Sequence, residues 1–407
     1  MGPSASQKSY IFPLFLALFA MQFCGTFRVT DSLSVRNVAS IILFLYVAFN
    51  IHKISSIVKS IKPYFWFIFT YLFCAIVNGD FYLIDFPRRL LSRDLPSLAI
   101  FFAIPLLLRN EKLAKKLVYF YAILYLANAI ISIMQSQNNP IAWTIANALN
   151  PSTYDFLDKW EEYQYYHNSN IGYSSIPGLI GDVVGNGYFI AVFTPLICIT
   201  LASYSKKSFI FSIITYAIGF VACYYVQQRM CFLLMIAFAI YFCFFCIKVP
   251  MFFRAVIIIV GVITAISYLE TVDLGRLNEN SDRARSHLFQ KFIDFCNTKD
   301  VYIGSFYNYN MDGTIGQHNC FLDVIVRGGL LSLIPFIFFT IDVIKKALKA
   351  YKVSVFGKAV AVSIIFYILY SLTHSTGLHC GDTTFWIPFG FLFVALNISK
   401  DNPDAQH

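Results

Sequence analysis

Residues 187–204 read Gly187-Tyr188-Phe189-Ile190-Ala191-Val192-Phe193-Thr194-Pro195-Leu196-Ile197-Cys198-Ile199-Thr200-Leu201-Ala202-Ser203-Tyr204, without one charged side chain. At about 1.5 Å per residue, such a run approaches the ~30 Å hydrocarbon core of a bilayer. The pattern recurs along the whole chain. Apolar runs fall near 10–27, 37–51, 63–79, 95–108, 117–134, 187–204, 208–226, 230–247, 252–269, 321–344, 357–372 and 384–398. The expected fold class is therefore all-α: a polytopic membrane protein with about twelve transmembrane helices, forming one integral membrane domain over residues 1–407. A few runs are short enough for two of them to be half-spans or re-entrant segments. Two connections are long, 135–186 and 270–320.

Composition agrees. Hydrophobic residues make up 58% of the 407 and charged residues only 13%, about half the share of a soluble domain. Such a chain cannot cover its surface with charge, so lipid must cover it. The 43 Phe and 26 Tyr suit helix flanks at a membrane interface. Lys8 precedes the first apolar run and no small-x-small cleavage site follows, so that run is expected to be a retained span. Nothing points to nucleic acid as a partner.

Orientation follows from lysine. With the amino terminus in the cytoplasm and alternation thereafter, 16 of 19 lysines fall on the inner side, as the positive-inside rule requires. Both termini are then cytoplasmic and both long connections lie outside. Of the 22 acids, 18 fall on the outer side. Arginine reverses the bias. Arg28, Arg36, Arg88, Arg89, Arg93, Arg229, Arg276, Arg283, Arg285 and Arg327 all fall outside or at the outer edge. Two readings fit: pairing with the outer carboxylates, or a few guanidinium groups gripping an anionic lipid head group through their planar fork.

The 270–320 connection holds the most chemistry. Ser281 is placed to cap a helix from about Asp282 to Cys296. On it Leu288, Phe289, Phe292 and Cys296 share a face with Arg285, while Arg283 and His287 point nearly opposite. An arginine on an apolar face needs an anionic partner, whether a structural carboxylate or a ligand. The connection ends in Gly316-Gln317-His318-Asn319. His318 titrates in the range useful for proton transfer, although a histidine at a helix start also serves as a plain hydrogen-bonding group. Asp323 and Arg327 follow at i, i+4, which marks Arg327 as a structural partner. Gln227-Gln228-Arg229 separates two apolar runs with almost no loop, holding Arg229 at the membrane edge, as a functional group or one that snorkels to the interface. Gly178-Leu179-Ile180-Gly181-Asp182-Val183-Val184-Gly185-Asn186-Gly187-Tyr188 marks tight, irregular backbone before a span. It lacks the lysine of a phosphate-binding loop. The aromatic stretch from Trp160 to Tyr173 can stack on sugars or anchor at the interface.

No Asp-x-Asp occurs, which disfavours a metal-dependent nucleotide-sugar transferase, and neither a metal nor another cofactor is expected. The ten cysteines show no zinc spacing. Cys24, Cys74, Cys198, Cys223, Cys231, Cys243 and Cys246 fall within apolar runs as small core residues. The spacing leaves a disulfide among Cys296, Cys320 and Cys380 open.

In this order the segments resemble the O-antigen polymerase and O-antigen ligase superfamily of bacterial envelope enzymes. The family pattern is His, then Asn, Ser or Gln, nine residues, Gly, two residues, and Gly, Thr or Tyr. Here His318-Asn319 is followed by nine residues to Gly329; Ser332 departs at the last position. Arg229 resembles the family's membrane-edge arginine. Arg285-Ser286-His287-Leu288-Phe289 is similar to its loop arginine before Leu-Trp, with Phe289 for Trp. The segment 178–188 resembles its glycine-rich stretch. The likeness covers roughly residues 175–345; the first 130 residues match in hydropathy alone.

The resemblance implies a bacterial inner-membrane enzyme working at the periplasmic face by metal-independent, inverting glycosyl transfer from an undecaprenyl-pyrophosphate-linked glycan. It implies catalytic roles for His318, Arg285 and Arg229, with Asn319, Arg283, Arg89, Arg93, Gly181 and Tyr188 as substrate-binding candidates. Polymerase is favoured over ligase, because the link from Arg285 to His318 is short and Phe321-Leu322-Asp323 is similar to polymerases. Partners implied are the lipid-linked glycan, membrane lipids and a chain-length regulator protein. The rival outside enzymology is a lipid-linked oligosaccharide flippase, against which stand the absence of an internal repeat and the position of the charges at the outer edge.

Overall fold

Small polar residues set the helix starts. The Ser34 hydroxyl accepts from Asn37 N at 3.2 Å, and Asn110 Oδ1 accepts from Leu113 N at 2.9 Å. Asp182 Oδ2 accepts from Gly185 N at 2.6 Å, Asn319 Oδ1 from Phe321 N at 2.9 Å, and Ser354 Oγ from Gly357 N at 3.0 Å. Each satisfies an amide that the first helical turn leaves without an intrahelical partner. An apolar run follows each cap, and helices result. The computed structural model describes residues 11–25, 27–30, 33–82, 94–108, 110–151, 176–226, 228–246, 250–276, 279–305, 319–374 and 381–401.

Among the described residues the helices are α1 (Ile11–Phe23), α2 (Val35–Phe49), α3 (Ser55–Ser60), α4 (Lys62–Val77), α5 (Leu95–Leu107), α6 (Glu111–Ser136), α7 (Pro140–Leu149), α8 (Val183–Ala202), α9 (Lys206–Val226), α10 (Arg229–Tyr241), α11 (Met251–Arg276), α12 (Glu279–Cys296), α13 (Cys320–Tyr351), α14 (Val355–Ser371) and α15 (Thr383–Asp401). Arg28–Thr30 and Leu33–Ser34 form a small antiparallel hairpin. Six helices are long and apolar enough to cross a membrane, and a seventh span results if one bent pair is counted. Five shorter apolar helices accompany them, in α1, α4, α5, α14 and α15. The architecture is all-α and consistent with a multi-pass membrane protein.

Helix α8 is the hub. It packs on α6, α9, α10 and α14, and 89% of its apolar window is buried. Helix α11 is the opposite case: only 6% of its apolar window is buried, and Phe252, Ile259, Val260 and Ile263 point outward. A helix apolar on all sides and left uncovered by protein requires an apolar solvent. A second line of packing runs α4–α13–α14–α15–α5–α2–α1. Its core is aromatic, with Phe101 stacked on Phe389 at 4.9 Å and Tyr64 edge-on to Trp386 at 4.8 Å.

The two ends of the bundle differ in chemistry. At one end Lys115 pairs with Glu111 and lies over Tyr204, Lys346 pairs with Asp342, and Lys358 lies over Tyr351. The starts of α8, α10, α13 and α15 gather at the other, around Asp182, Arg229, Asn319 and Asp382.

Three sequence expectations change. The run expected as span 37–51 ends at Asn50, where the chain bends by 82° into 51–60; the Asn50 side chain donates to Tyr46 O at 2.9 Å and competes with helix continuation. The connection 135–186 is less loop-like than expected, since α6 runs to Ser136 and Asn139 caps α7 by accepting from Ile141 N. The helix of the second connection starts at Glu279 and not at Asp282, so Ser281 lies within it. Cys296 and Cys320 are free thiols, Cys320 buried beside Ser371; Cys380 lies outside the described residues.

Candidate functional site

The glycine-rich segment before α8 is held by side-chain amides. Asn128 Oδ1 accepts from Leu179 N at 2.8 Å, and Gln135 Oε1 accepts from Gly178 N at 3.0 Å. Asn150 Nδ2 donates to Leu179 O and to Phe23 O, each at 2.9 Å. Asn186 Nδ2 donates to Ile176 O at 2.9 Å and to Ser132 Oγ at 3.1 Å, while its Oδ1 accepts from Asn128 Nδ2 at 2.7 Å. Asn128, Ser132, Gln135 and Asn186 are wholly buried. Irregular backbone inside an apolar bundle is tolerated only where such partners replace water. Residues 176–182 are therefore a fixed cradle. Gly178 has φ +58°, and a Cβ there would lie 2.5 Å from Asn128 Oδ1. Gly181 has φ +82°, with Asn150 at 3.0 Å from its missing Cβ. Both demands are met only by glycine.

Five residues on, α8 meets α10 and α14. A Cβ on Gly187 would collide with Tyr370 Oη and press on Gln228 Cγ at 3.2 Å. Gln228 is the residue before α10, so this close approach sets where Arg229 begins its helix. Arg229 is half-buried. No side-chain cap covers the start of α10 among the described residues, so the positive end of that helix dipole and the guanidinium lie together. Tyr188 is buried, its ring 4.0 Å from Tyr370; Tyr370 stacks in turn on His374 at 5.0 Å. The hydroxyl of Tyr370 is buried with no hydrogen-bond partner among the described residues.

Asn319 joins this end of the bundle by a second route. Its carbonyl oxygen caps α13, and its amide donates to Leu372 O at 2.9 Å. Leu372, the second residue after Tyr370, is thus tied to the residue after His318. Asp323 and Arg327 form the expected i, i+4 ion pair at 2.8 Å, with Asp323 buried. One turn further, Gly329 has φ +64° and breaks α13. The break frees Val326 O, which accepts from Ser305 N at 2.9 Å. Asn78 Nδ2 holds the same loop through Gly304 O at 3.2 Å. The glycine of the His-Asn-x9-Gly pattern is therefore the kink residue.

Helix α12 corrects the expected face. Leu288 and Phe295 are buried, whereas Phe289 is exposed and so is Cys296. The protein-facing edge runs through Leu288 and Phe295 and is displaced from the predicted centre. Position 285 falls between this edge and the exposed Phe289 by helical register. The side chains of Arg283 and Arg285 lie outside the described residues, as do Arg89, Arg93, His318 and the stretch 160–173. Of the predicted members, Gly181 packs on Asn150 and Tyr188 on Tyr370, Arg229 follows the Gln228 that meets Gly187, and Asn319 bonds Leu372; the side chains of the others lie outside the described residues.

Sequence reasoning missed the α14–α15 side of this region. Asp382 Oδ2 accepts from Tyr367 Oη at 2.9 Å, and its Oδ1 caps α15 through Thr384 N at 2.9 Å. Burial raises its carboxyl above the usual range, opposed by the Thr384 and Tyr367 hydrogen bonds and by the charge of Arg36. Asp94 Oδ1 accepts from Gly381 N at 2.6 Å. The signal available was Tyr367 and Tyr370 three residues apart near the end of one apolar run, with His374 four residues on. Comparison with protein-family models and with curated proteins finds no match to this chain.

Proposed function

We propose that this protein polymerises undecaprenyl-pyrophosphate-linked oligosaccharide repeats at the periplasmic face of the bacterial inner membrane, by inverting, metal-independent glycosyl transfer. The observation that carries this reading is the meeting of four separate segments at one end of the bundle: the 176–182 cradle, Gln228-Arg229 at the start of α10, Asn319, and Tyr370 and His374 at the end of α14. The lysines Lys115, Lys346 and Lys358 occupy the opposite end, as a cytoplasmic face would.

In the proposed reaction, the hydroxyl of an acceptor sugar attacks the anomeric carbon of the donor, opposite the leaving pyrophosphate. The carbon–oxygen bond to pyrophosphate breaks as the new glycosidic bond forms, which inverts the centre. Charge grows on the departing diphosphate. Arg229 meets that charge at the membrane edge, where a guanidinium is permanently protonated and the α10 amides point the same way. Arg285 supplies a second guanidinium from α12, and His318 takes the acceptor proton. Asn319 acts by anchoring the neighbour of His318 to α14.

Glycan profiling of a deletion strain and of strains carrying Arg229→Ala tests this. Core capped by a single repeat is the expected result. Bare core with accumulated lipid-linked polymer would assign the protein as a ligase. Lipid-linked repeat trapped on the cytoplasmic side would assign it as a flippase.

A further inference from the structure

Helices α9 and α10 run back to back, and their junction carries Gln228 and Arg229. Three residues before α9 ends stands Cys223; two residues after Arg229 stands Cys231. Both are wholly buried, and their sulfurs face each other at 2.6 Å. The residues next to each cysteine in sequence, and α9 itself, are packed against rings. Phe232 stacks on Tyr268 at 3.9 Å, Tyr224 lies 5.8 Å from the same ring, and Gly219 of α9 packs directly on Tyr125. Both are free thiols in this structure, and two buried sulfurs this close across a turn are placed for a covalent link.

We propose that Cys223 and Cys231 are a disulfide-forming pair that closes a ring around the Arg229 turn. The link is made by exchange with a disulfide-bearing thiol oxidoreductase. The thiolate of one cysteine attacks that disulfide and forms a mixed disulfide, and the second cysteine's thiolate displaces the donor. The oxidoreductase leaves as a dithiol carrying both electrons and both protons. Exchange precedes burial of the pair in the finished bundle, since a buried sulfur is closed to a protein donor. In the finished fold the ring fixes the first turn of α10 against Gly187 and Tyr370, and so fixes the guanidinium of Arg229. This rests on the outer-side placement of the α9–α10 turn in the proposed function, because the cytoplasmic thiol pool would keep the pair reduced.

The test needs no glycan. Cells expressing the full chain are quenched in acid and their thiols blocked with N-ethylmaleimide under denaturing conditions; the purified protein is then mapped by mass spectrometry. The expected result is that Cys223 and Cys231 escape blocking until reduced, while Cys198 is blocked. Cys223→Ser should leave Cys231 blocked. Blocking of both cysteines in the unreduced parent overturns the proposal. As a second readout, dithiothreitol should lower the melting temperature of the detergent-solubilised parent but not that of Cys223→Ala/Cys231→Ala; equal melting with and without reductant also overturns it. Failure of the glycosyl-transfer reading appears separately, as a normal glycan profile in Arg229→Ala.

Discussion

The amide of Asn319 and the main-chain oxygen of Leu372 are joined at 2.9 Å across 53 residues of sequence. The bond ties the start of α13 to the end of α14, and the same side chain caps α13 with its oxygen. Asn319→Asp keeps the cap and loses the donor. Asn319→Ala loses both. The alanine variant should therefore lose about 1–2 kcal/mol of stability. The aspartate should melt closer to the parent yet polymerise poorly, because the residue beside His318 has lost its anchor. Melting in detergent and glycan chain length read the two effects separately. Equal activity of Asp and Asn at this position would remove the anchor argument.

The cradle at 176–182 gives a prediction about folding. Gly178→Ala combines a left-handed backbone with a Cβ only 2.5 Å from Asn128 Oδ1. The substitution should cost upwards of about 2 kcal/mol and reduce the amount of membrane-inserted protein. Asn186→Leu should do the same, since it orphans Ile176 O and Asn128 Nδ2 together. Immunoblotting of membrane fractions checks both; full accumulation of either variant would mean the network is dispensable.

Much of the bundle was legible because apolar length is a long-range signal that needs no knowledge of packing. The runs at 187–204 and 321–344 became α8 and much of α13. Helix breaks were harder. Asn50 and Gly329 bend their helices through local chemistry, and an Asn or Gly inside an apolar run does not announce that its neighbours will accept the freed backbone groups. The Asp323–Arg327 pair was readable because i, i+4 contact lies within one helix. The Asn128–Asn186–Gln135 network was not: its members are 7 to 58 residues apart, and each alone looks like a stray amide in a span. Position 285 was placed on the apolar side of α12, but periodicity cannot tell a side facing protein from one facing lipid.

Asp382 should make stability depend on pH. Burial raises its carboxyl above the usual carboxylate range, with Thr384, Tyr367 and Arg36 opposing. A group with a raised folded-state pKa contributes most below its unfolded value, and the contribution is lost as pH rises through the folded value. Stability should thus fall across the window just above the ordinary carboxylate range. Asp382→Asn should flatten that dependence while keeping an acceptor for Thr384 N. Melting temperature against pH for parent and variant decides it; parallel curves would contradict the assignment.

Arg229 offers the sharpest comparison among the arginines. It begins α10 beside Gly187 and Gln228, half-buried, at the positive end of that helix. Arg327 is already committed to Asp323 and serves the fold. Arg229→Ala should therefore abolish long glycan while the protein still accumulates, a loss of at least about 2.7 kcal/mol of transition-state stabilisation, or a hundredfold. Arg229→Lys should recover only part of this, because an ammonium keeps the charge and lacks the planar fork that grips a diphosphate. Arg327→Ala should instead lower protein level, since it leaves Asp323 buried without its counter-ion. On α12, Arg285→Ala should abolish chain extension and Arg283→Ala should be milder, since position 285 lies in the apolar sector and 283 does not. Glycan gels normalised to protein in the membrane separate these outcomes. Full activity of Arg229→Ala would leave the proposed chemistry without its cation at the membrane edge.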